Sequence, residues 1–187
     1  KVTLVTTNLD MAINYYLPTT LAKDGKITVP AKLLADFVSN LPKGEVKIQV
    51  NQEKLTVSEG KYKSVFNGNA AEDFPELPEF DEKSAISFQM GIDDFRLGMN
   101  AVKIACSSDT TRPTLTGIYF NSFEGGLYVA ATDGYRLAEK KLINKIESEI
   151  KAIVPVQCIV DVLGAISDNM ENIKILFDEF QVRFRLG

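Results

Sequence analysis

The chain has 187 residues, 45% of them hydrophobic and 25% charged, with a formal net charge of -4 and no histidine. This composition fits one or two ordinary globular domains, while the missing imidazole excludes Ser-His-Asp and Cys-His catalysis and the usual zinc sites, leaving carboxylate, lysine or tyrosine chemistry. The acidic balance excludes a protein that grips nucleic acid by bulk positive charge, so any DNA role requires basic groups gathered on one face.

No apolar run approaches the roughly 20 residues of a membrane span, and no basic-then-apolar leader opens the chain, which reads as cytoplasmic. It starts on Lys1 inside an apparent strand and stops at Gly187 just after another, the pattern expected of a fragment. Val2 to Thr7 and Asp10 to Pro18 read as paired strands. Lys26 to Val29 is a short strand leading to a helix with Pro30 in its first turn, where the missing N–H costs nothing. Leu33, Leu34, Phe37, Val38 and Leu41 fall at helical spacing on one face, Lys32, Asp36 and Ser39 on the other, and Pro42-Lys43-Gly44 ends the helix. Glu45 to Val50, Lys54 to Ser58 and Lys61 to Asn67 form an antiparallel meander.

From Ala70 to Lys83 two prolines and six acids without periodicity read as a surface linker. A domain boundary follows, with 1–80 as one domain and 81–187 as the next. After a strand from Ala85 to Met90, Asp93-Asp94 caps a helix running to about Ser107. Paired carboxylates there face the positive end of the dipole more readily than they serve as acid and base. Phe95, Met99, Val102 and Cys106 form its buried face, and Arg96, Asn100 and Lys103 make a second stripe that reads as a solvated helix face. Strands follow at Thr116 to Phe123, Leu127 to Thr132 and onward from Tyr135. Lys140 to Glu149 then turns the chain around. Ala152 to Val154 leads through Pro155 into a helix whose apolar face is Val156, Ile159, Val160, Leu163 and Ile166. Ile173 to Phe177 and Phe180 to Leu186 close the chain. Cys106 and Cys158, each on a predicted helix without Cys-x-x-Cys spacing, read as small core residues. No Gly-rich strand-to-helix loop of phosphate-binding form is present.

The most specific stretch is Leu127 to Leu142, LYVAATDGYRLAEKKL, which reads as strand, Asp133-Gly134 turn, strand. It has an echo. Thr7 and Thr132, Val29-Pro30 and Val154-Pro155, and Val57 and Val182 are each separated by 125 residues, with the element order kept. Two copies of one module follow from this, each itself a doubled half. The first lacks its opening strand and helix, and the second lacks a closing strand.

With SSDTTRPTLTGIYF (107 to 120), ATDGYRLA (131 to 138), KITVPAKLLADFVSNLPKGEVKI (26 to 48) and EDFPELPEF (72 to 80), the whole chain resembles the bacterial sliding clamp family, the beta subunits of DNA polymerase III. The resemblance implies an α+β fold, the DNA-clamp fold, of doubled β-α-β-β-β modules. Three such domains per subunit and two subunits head to tail would make a homodimeric ring, with antiparallel sheets outside and helices inside around double-stranded DNA. This chain would hold about two-thirds of the first domain, nearly all of the second and none of the third. It implies a non-catalytic processivity factor without cofactor or metal. Its partners would be the polymerase III catalytic subunit, the clamp loader and repair proteins. A sliding ring needs only a few basic groups inside, because topology supplies retention.

By motif position the resemblance implies DNA-facing roles for Lys32, Arg96, Asn100, Lys103 and Arg112. Arg112-Pro113-Thr114 has no aromatic residue to stack on a base. It also implies a peptide pocket whose second-domain half is Leu115, Thr132, Gly134, Tyr135, Arg136 and Leu137. Leu115 and Leu137 would form apolar walls, Gly134 would allow close backbone approach and Arg136 would form a polar rim. Many relatives carry His where Tyr135 stands. Two other readings remain open from the residues: an enzyme using Asp133 and Arg136 or Asp93-Asp94, and a repeat-built adaptor that binds peptides and never DNA.

Overall fold

A computed structural model describes residues 1–20 and 23–187, which form two compact units, Lys1–Pro78 and Glu79–Gly187. The division falls two residues before the boundary read from sequence. Glu79 and Phe80 are held by the second unit: Gln181 Nε2 donates to the Glu79 carbonyl (2.9 Å), and the Arg183 guanidinium stands 4.3 Å from the Phe80 ring centroid. Arg183 and Arg185 both pair with Glu82, and Asp81 N donates to Asp178 Oδ2. The stretch expected as a free linker is therefore strapped down at its C-terminal end.

In the first unit β1 (Val2–Thr7) and β2 (Ala12–Leu17) form an antiparallel hairpin, in register from Val2 opposite Leu17 to Thr7 opposite Ala12. The strand expected at Lys26 to Val29 reduces to one bridge, Thr28 to Asn69. Helix α1 (Ala31–Ser39) begins after Pro30, which is extended (ψ 113°) and lends its carbonyl to Leu34 N. A sheet of β3 (Lys47–Asn51), β4 (Lys54–Glu59) and β5 (Tyr62–Asn67) follows, in that spatial order. Leu55, Val57 and Phe66 are its buried core, packed by Ile27, Val29, Leu34, Phe37 and Leu41, and the Phe37 and Phe66 rings meet edge-on at 5.7 Å. Leu33 and Val38, expected on the same helix face, stay exposed. At 100° per residue they flank the stripe made by Leu34, Phe37 and Leu41, beyond the reach of a three-stranded sheet.

The second unit runs β6 (Ile86–Gly91), α2 (Ile92–Lys103), β7 (Gly117–Phe123), β8 (Gly126–Thr132), β9 (Leu137–Ile143), β10 (Lys151–Pro155), α3 (Val156–Ala165), β11 (Asn172–Phe177) and β12 (Val182–Leu186). Two antiparallel sheets result, with strand orders β10-β7-β8-β9 and β12-β11-β6. Each half of the unit thus gives its first strand to the other half's sheet. Between sheets and helices lies one core containing Phe95, Met99, Val102, Ile118, Phe120, Leu127, Ile159, Ile173 and Ile175. Each such side chain contributes roughly 1.5–3 kcal/mol by leaving water.

Several local expectations change. Helix α2 stops at Lys103, so Cys106 lies beyond it, half-buried, with Sγ donating to the Gly117 carbonyl (3.6 Å) and burial pushing the thiol pKa up. Asp93 and Asp94 occupy the first turn and leave the cap itself to Gly91, with no side-chain capping bond. Lys140–Ile143 belongs to β9, whose alternate residues Ala138 and Leu142 pack inward. Leu142 Cδ2 occupies the space a Cβ at Gly98 would need, so that glycine sets the approach of α2 to β9.

The repeat is preserved in coordinates: β2, α1 and β3 begin at 12, 31 and 47, and β9, α3 and β11 at 137, 156 and 172, 125 residues on each time. The match of Val57 to Val182 does not survive. Val57 pairs with Ile48, whereas Ile173 (48 plus 125) pairs with Leu186, because the β11–β12 hairpin closes further along the chain.

Candidate functional site

The β8–β9 connection is built from side chains that replace a backbone ladder. Thr132 Oγ1 donates to the Arg136 carbonyl (2.7 Å) and accepts from Gly134 N (3.1 Å). Asp133 Oδ1 accepts from the N–H groups of Tyr135 and Arg136 (3.0 Å each), and Arg136 Nε pairs with Asp133 Oδ2 (2.9 Å). The Tyr135 and Arg136 N–H groups, then the guanidinium, hold the Asp133 carboxyl below its ordinary range. Gly134 sits at φ +92°, the left-handed region. The turn leaves Tyr135 fully exposed and Leu137 largely so.

Leu115 lies in a 3-10 turn, Pro113–Thr116, its N–H on the Arg112 carbonyl (3.0 Å) and its carbonyl on Ser107 N (2.9 Å). The β7–β8 register, Tyr119 opposite Ala130, extrapolates to Gly117 opposite Thr132. Leu115, Thr132 and Leu137 therefore collect at one end of the four-stranded sheet. A half-buried Leu115 and an exposed Leu137 beside a turn pinned by its own side chains suit a short extended segment.

The basic residues are arranged less simply. On α2, Arg96 is half-exposed with Nη1 4.0 Å from Asp93 Oδ1, Asn100 is exposed and Lys103 is half-buried. Arg112 is exposed at the end of a loop ordered by Asp109, whose carboxylate takes the Thr111 hydroxyl (2.7 Å) and N–H (3.0 Å), with its pKa lowered in that order of cause. Lys32 is exposed on α1 of the first unit. Sequence reasoning missed Leu97, 61% exposed on the face of α2 opposite its core, and Ile104, 64% exposed at the residue that caps the helix's end. Their spacing of seven, half a turn from Phe95 and Val102, was the available signal. Helix α3 carries no Lys or Arg.

Asp93 is exposed, Asp133 has its carboxyl stabilised as the anion, and among the described residues no group of three or more His, Cys, Asp or Glu could hold a metal.

Residues 1–78 match the N-terminal domain, and residues 89–187 the central domain, of the DNA polymerase III beta subunit family. The chain belongs to this family of bacterial sliding clamps. It is 32% identical to the beta sliding clamp of Synechococcus elongatus over 193 residues, covering all of this chain and 51% of that protein. It is 29% identical to the clamp of Bacillus subtilis, covering 94% of this chain and 49% of that protein. The chain thus spans about half the length of the curated clamps it matches. The sliding clamp of Bartonella birtlesii, solved bound to griselimycin, superposes with a TM-score of 0.89 at 27% identity over 99% of this chain and 51% of that one. The beta subunit from Pseudomonas aeruginosa gives 0.87 at 26% identity over 98% and 51%. Clamps of this family are non-catalytic, so the enzymatic reading of Asp133 with Arg136 falls away.

Proposed function

We propose that this chain is the first-domain and middle-domain portion of a processivity clamp, a cytoplasmic protein that closes as a homodimeric ring around duplex DNA and tethers the polymerase III catalytic subunit, the clamp loader and repair proteins. The observation carrying the reading is the order of matches, N-terminal then central clamp domain, on a chain whose element order repeats at 125 residues. Lys32 on the first unit and, separately, Arg96, Lys103 and Arg112 with the neutral Asn100 on the second would each face DNA, a sparse set of charges sufficient for a ring that must slide. Leu115, Thr132, Gly134, Tyr135, Arg136 and Leu137 supply half a pocket for partner peptides, and griselimycin, held by relatives' clamps, is a ready probe of ligand binding.

The test is retention of the full-length protein on circular against linearised DNA. Topological holding predicts long residence on circles and rapid loss from linear ends, with Arg96→Ala and Lys103→Ala slowing loading and leaving retention on closed circles largely intact. Equal residence on both forms would reject the ring. The isolated chain, with net charge -4, should bind duplex DNA no tighter than the non-specific range of roughly 10⁻⁴ to 10⁻⁶ M, and steeply salt-dependently.

A further inference from the structure

The outer face of the β10-β7-β8-β9 sheet carries a feature that neither the turn nor the helices use. Strand pairing sets two rows across it: Ile153, Tyr119, Ala130 and Glu139, then Lys151, Asn121, Tyr128 and Lys141. Between these rows and Phe123 lies a cavity of about 280 Å³ lined by Tyr119, Asn121, Phe123, Tyr128, Ala130 and Glu139. Phe123 and Tyr128 meet edge to face at 6.4 Å, and the Tyr119 hydroxyl donates to Asn121 Oδ1 (3.2 Å), so the rings are oriented by one another and by the strand.

The charges around it are unevenly satisfied. Lys151 is engaged by Glu149. Lys141, two residues from Glu139 on the same face, leans away from it: its Nζ stands 5.4 Å from the Tyr128 ring centroid, and its Cε lies 2.6 Å from where a Cβ on Gly126 would be. Glu139 consequently makes no ion pair with any described residue. A carboxylate without a counter-ion on a cavity that three aromatic rings also line is complementary to a cation, and the ring of Tyr128 already accepts one. The volume is below the usual range for a drug-sized ligand and suits one side chain. A flat guanidinium can lie on a ring and still pair with a carboxylate, which a compact ammonium does less well.

We propose that this cavity is a docking site for an arginine side chain carried by an extended segment of a partner protein. Ala130 and Glu139 lie about 7 Å along their strands from Thr132 and Leu137. A peptide seated at the end of the sheet is thus placed to reach the cavity with a flanking residue. That last step rests on the pocket reading; the preference for arginine does not.

Nuclear magnetic resonance titration of the chain with acetyl-Gly-Arg-Gly-amide, against the same peptide with neutral citrulline, separates the two. Amide shifts should cluster at Tyr119, Asn121, Tyr128, Ala130 and Glu139, and the arginine peptide should bind roughly fivefold or more tightly than citrulline. Glu139→Gln and Phe123→Ala, both surface substitutions whose folding is checked by an unchanged Tm, should each abolish that preference. Equal shifts with citrulline, shifts scattered over exposed carboxylates, or a preference that survives Glu139→Gln would overturn the site. Loss of peptide binding at Leu115 and Leu137 with an intact arginine preference would reject the pocket reading alone.

Discussion

Two turns in this molecule share one hydrogen-bond plan and differ in what they offer to a partner. In the first unit Thr7 Oγ1 donates to the Met11 carbonyl (2.9 Å) and accepts from Leu9 N (3.0 Å), while Asn8 Oδ1 takes the N–H groups of Asp10 (3.1 Å) and Met11 (2.8 Å). Thr132 and Asp133 do the same in the second. At the third position the first turn has Leu9 at φ +78° and the second Gly134 at φ +92°. A left-handed leucine costs roughly 1–2 kcal/mol, so the Thr and Asx side chains determine the backbone strongly enough to override the residue's own preference. The shape of the turn is scaffold. What sets apart the turn proposed to dock peptides is a glycine at the left-handed position and the exposed leucine after the turn, whereas the first turn carries a leucine 79% exposed at that position and Ala12 where Leu137 would be.

The largest test of that contrast is binding. In the full-length protein Leu137→Ala should cost about 1–3 kcal/mol of peptide affinity, measured by calorimetry, while Leu9→Ala leaves it unchanged. Equal losses would mean that both turns dock ligand. Next comes stability: Leu9→Gly should raise the unfolding midpoint of the first unit by an equivalent of about 1 kcal/mol by relieving strain, and Gly134→Ala should lower that of the second by a similar amount. Urea titrations with unchanged slope would check both, and a destabilising Leu9→Gly would show that Leu9 packs in a way its exposure denies.

The smallest effect is acid sensitivity. The folded-state pKa of Asp133 is depressed, so whatever its hydrogen bonds contribute is present above the unfolded value and lost as pH falls through the folded one. The amide resonances of Tyr135 and Arg136 should titrate together with a midpoint below that of a free aspartate. In an Asp10→Asn variant, which removes the neighbouring carboxyl, the amides at positions 10 and 11, held by a neutral Asn8, should not follow Asp133. Co-titration of all four would refute the distinction.

The second turn was legible because Asp133-Gly134 is a sequence signal for a left-handed position, and the first was legible only as an echo, since leucine announces nothing of its φ. Likewise Pro155 and the spacing of Ile159 and Leu163 revealed α3, and the 125-residue offset revealed the doubling. Glu139-Lys140-Lys141 hid most of β9, because a strand buried on one face by Ala138 and Leu142 can be wholly charged between them. The aromatic cavity was invisible for another reason. Tyr119, Phe123 and Tyr128 lie on two strands, and only register brings them to one face.

The exchange of β6 and β10 between the two sheets has a consequence for assembly of the fold in time. Ile86 must find Phe177, and Gly91 must find Asn172, across most of the second unit before the three-stranded sheet is complete, and Lys151 must find Asn121 before the four-stranded one is. Contacts so distant along the chain make folding slow, because the loops must close before pairing repays them. For the same reason neither half is self-sufficient. A chain cleaved in the exposed stretch Glu147–Glu149 should yield two pieces whose second-unit portions stay unstructured apart and recover the β10-β7 and β6-β11 ladders on mixing, so that the unit behaves as a built-in two-fragment complementation pair.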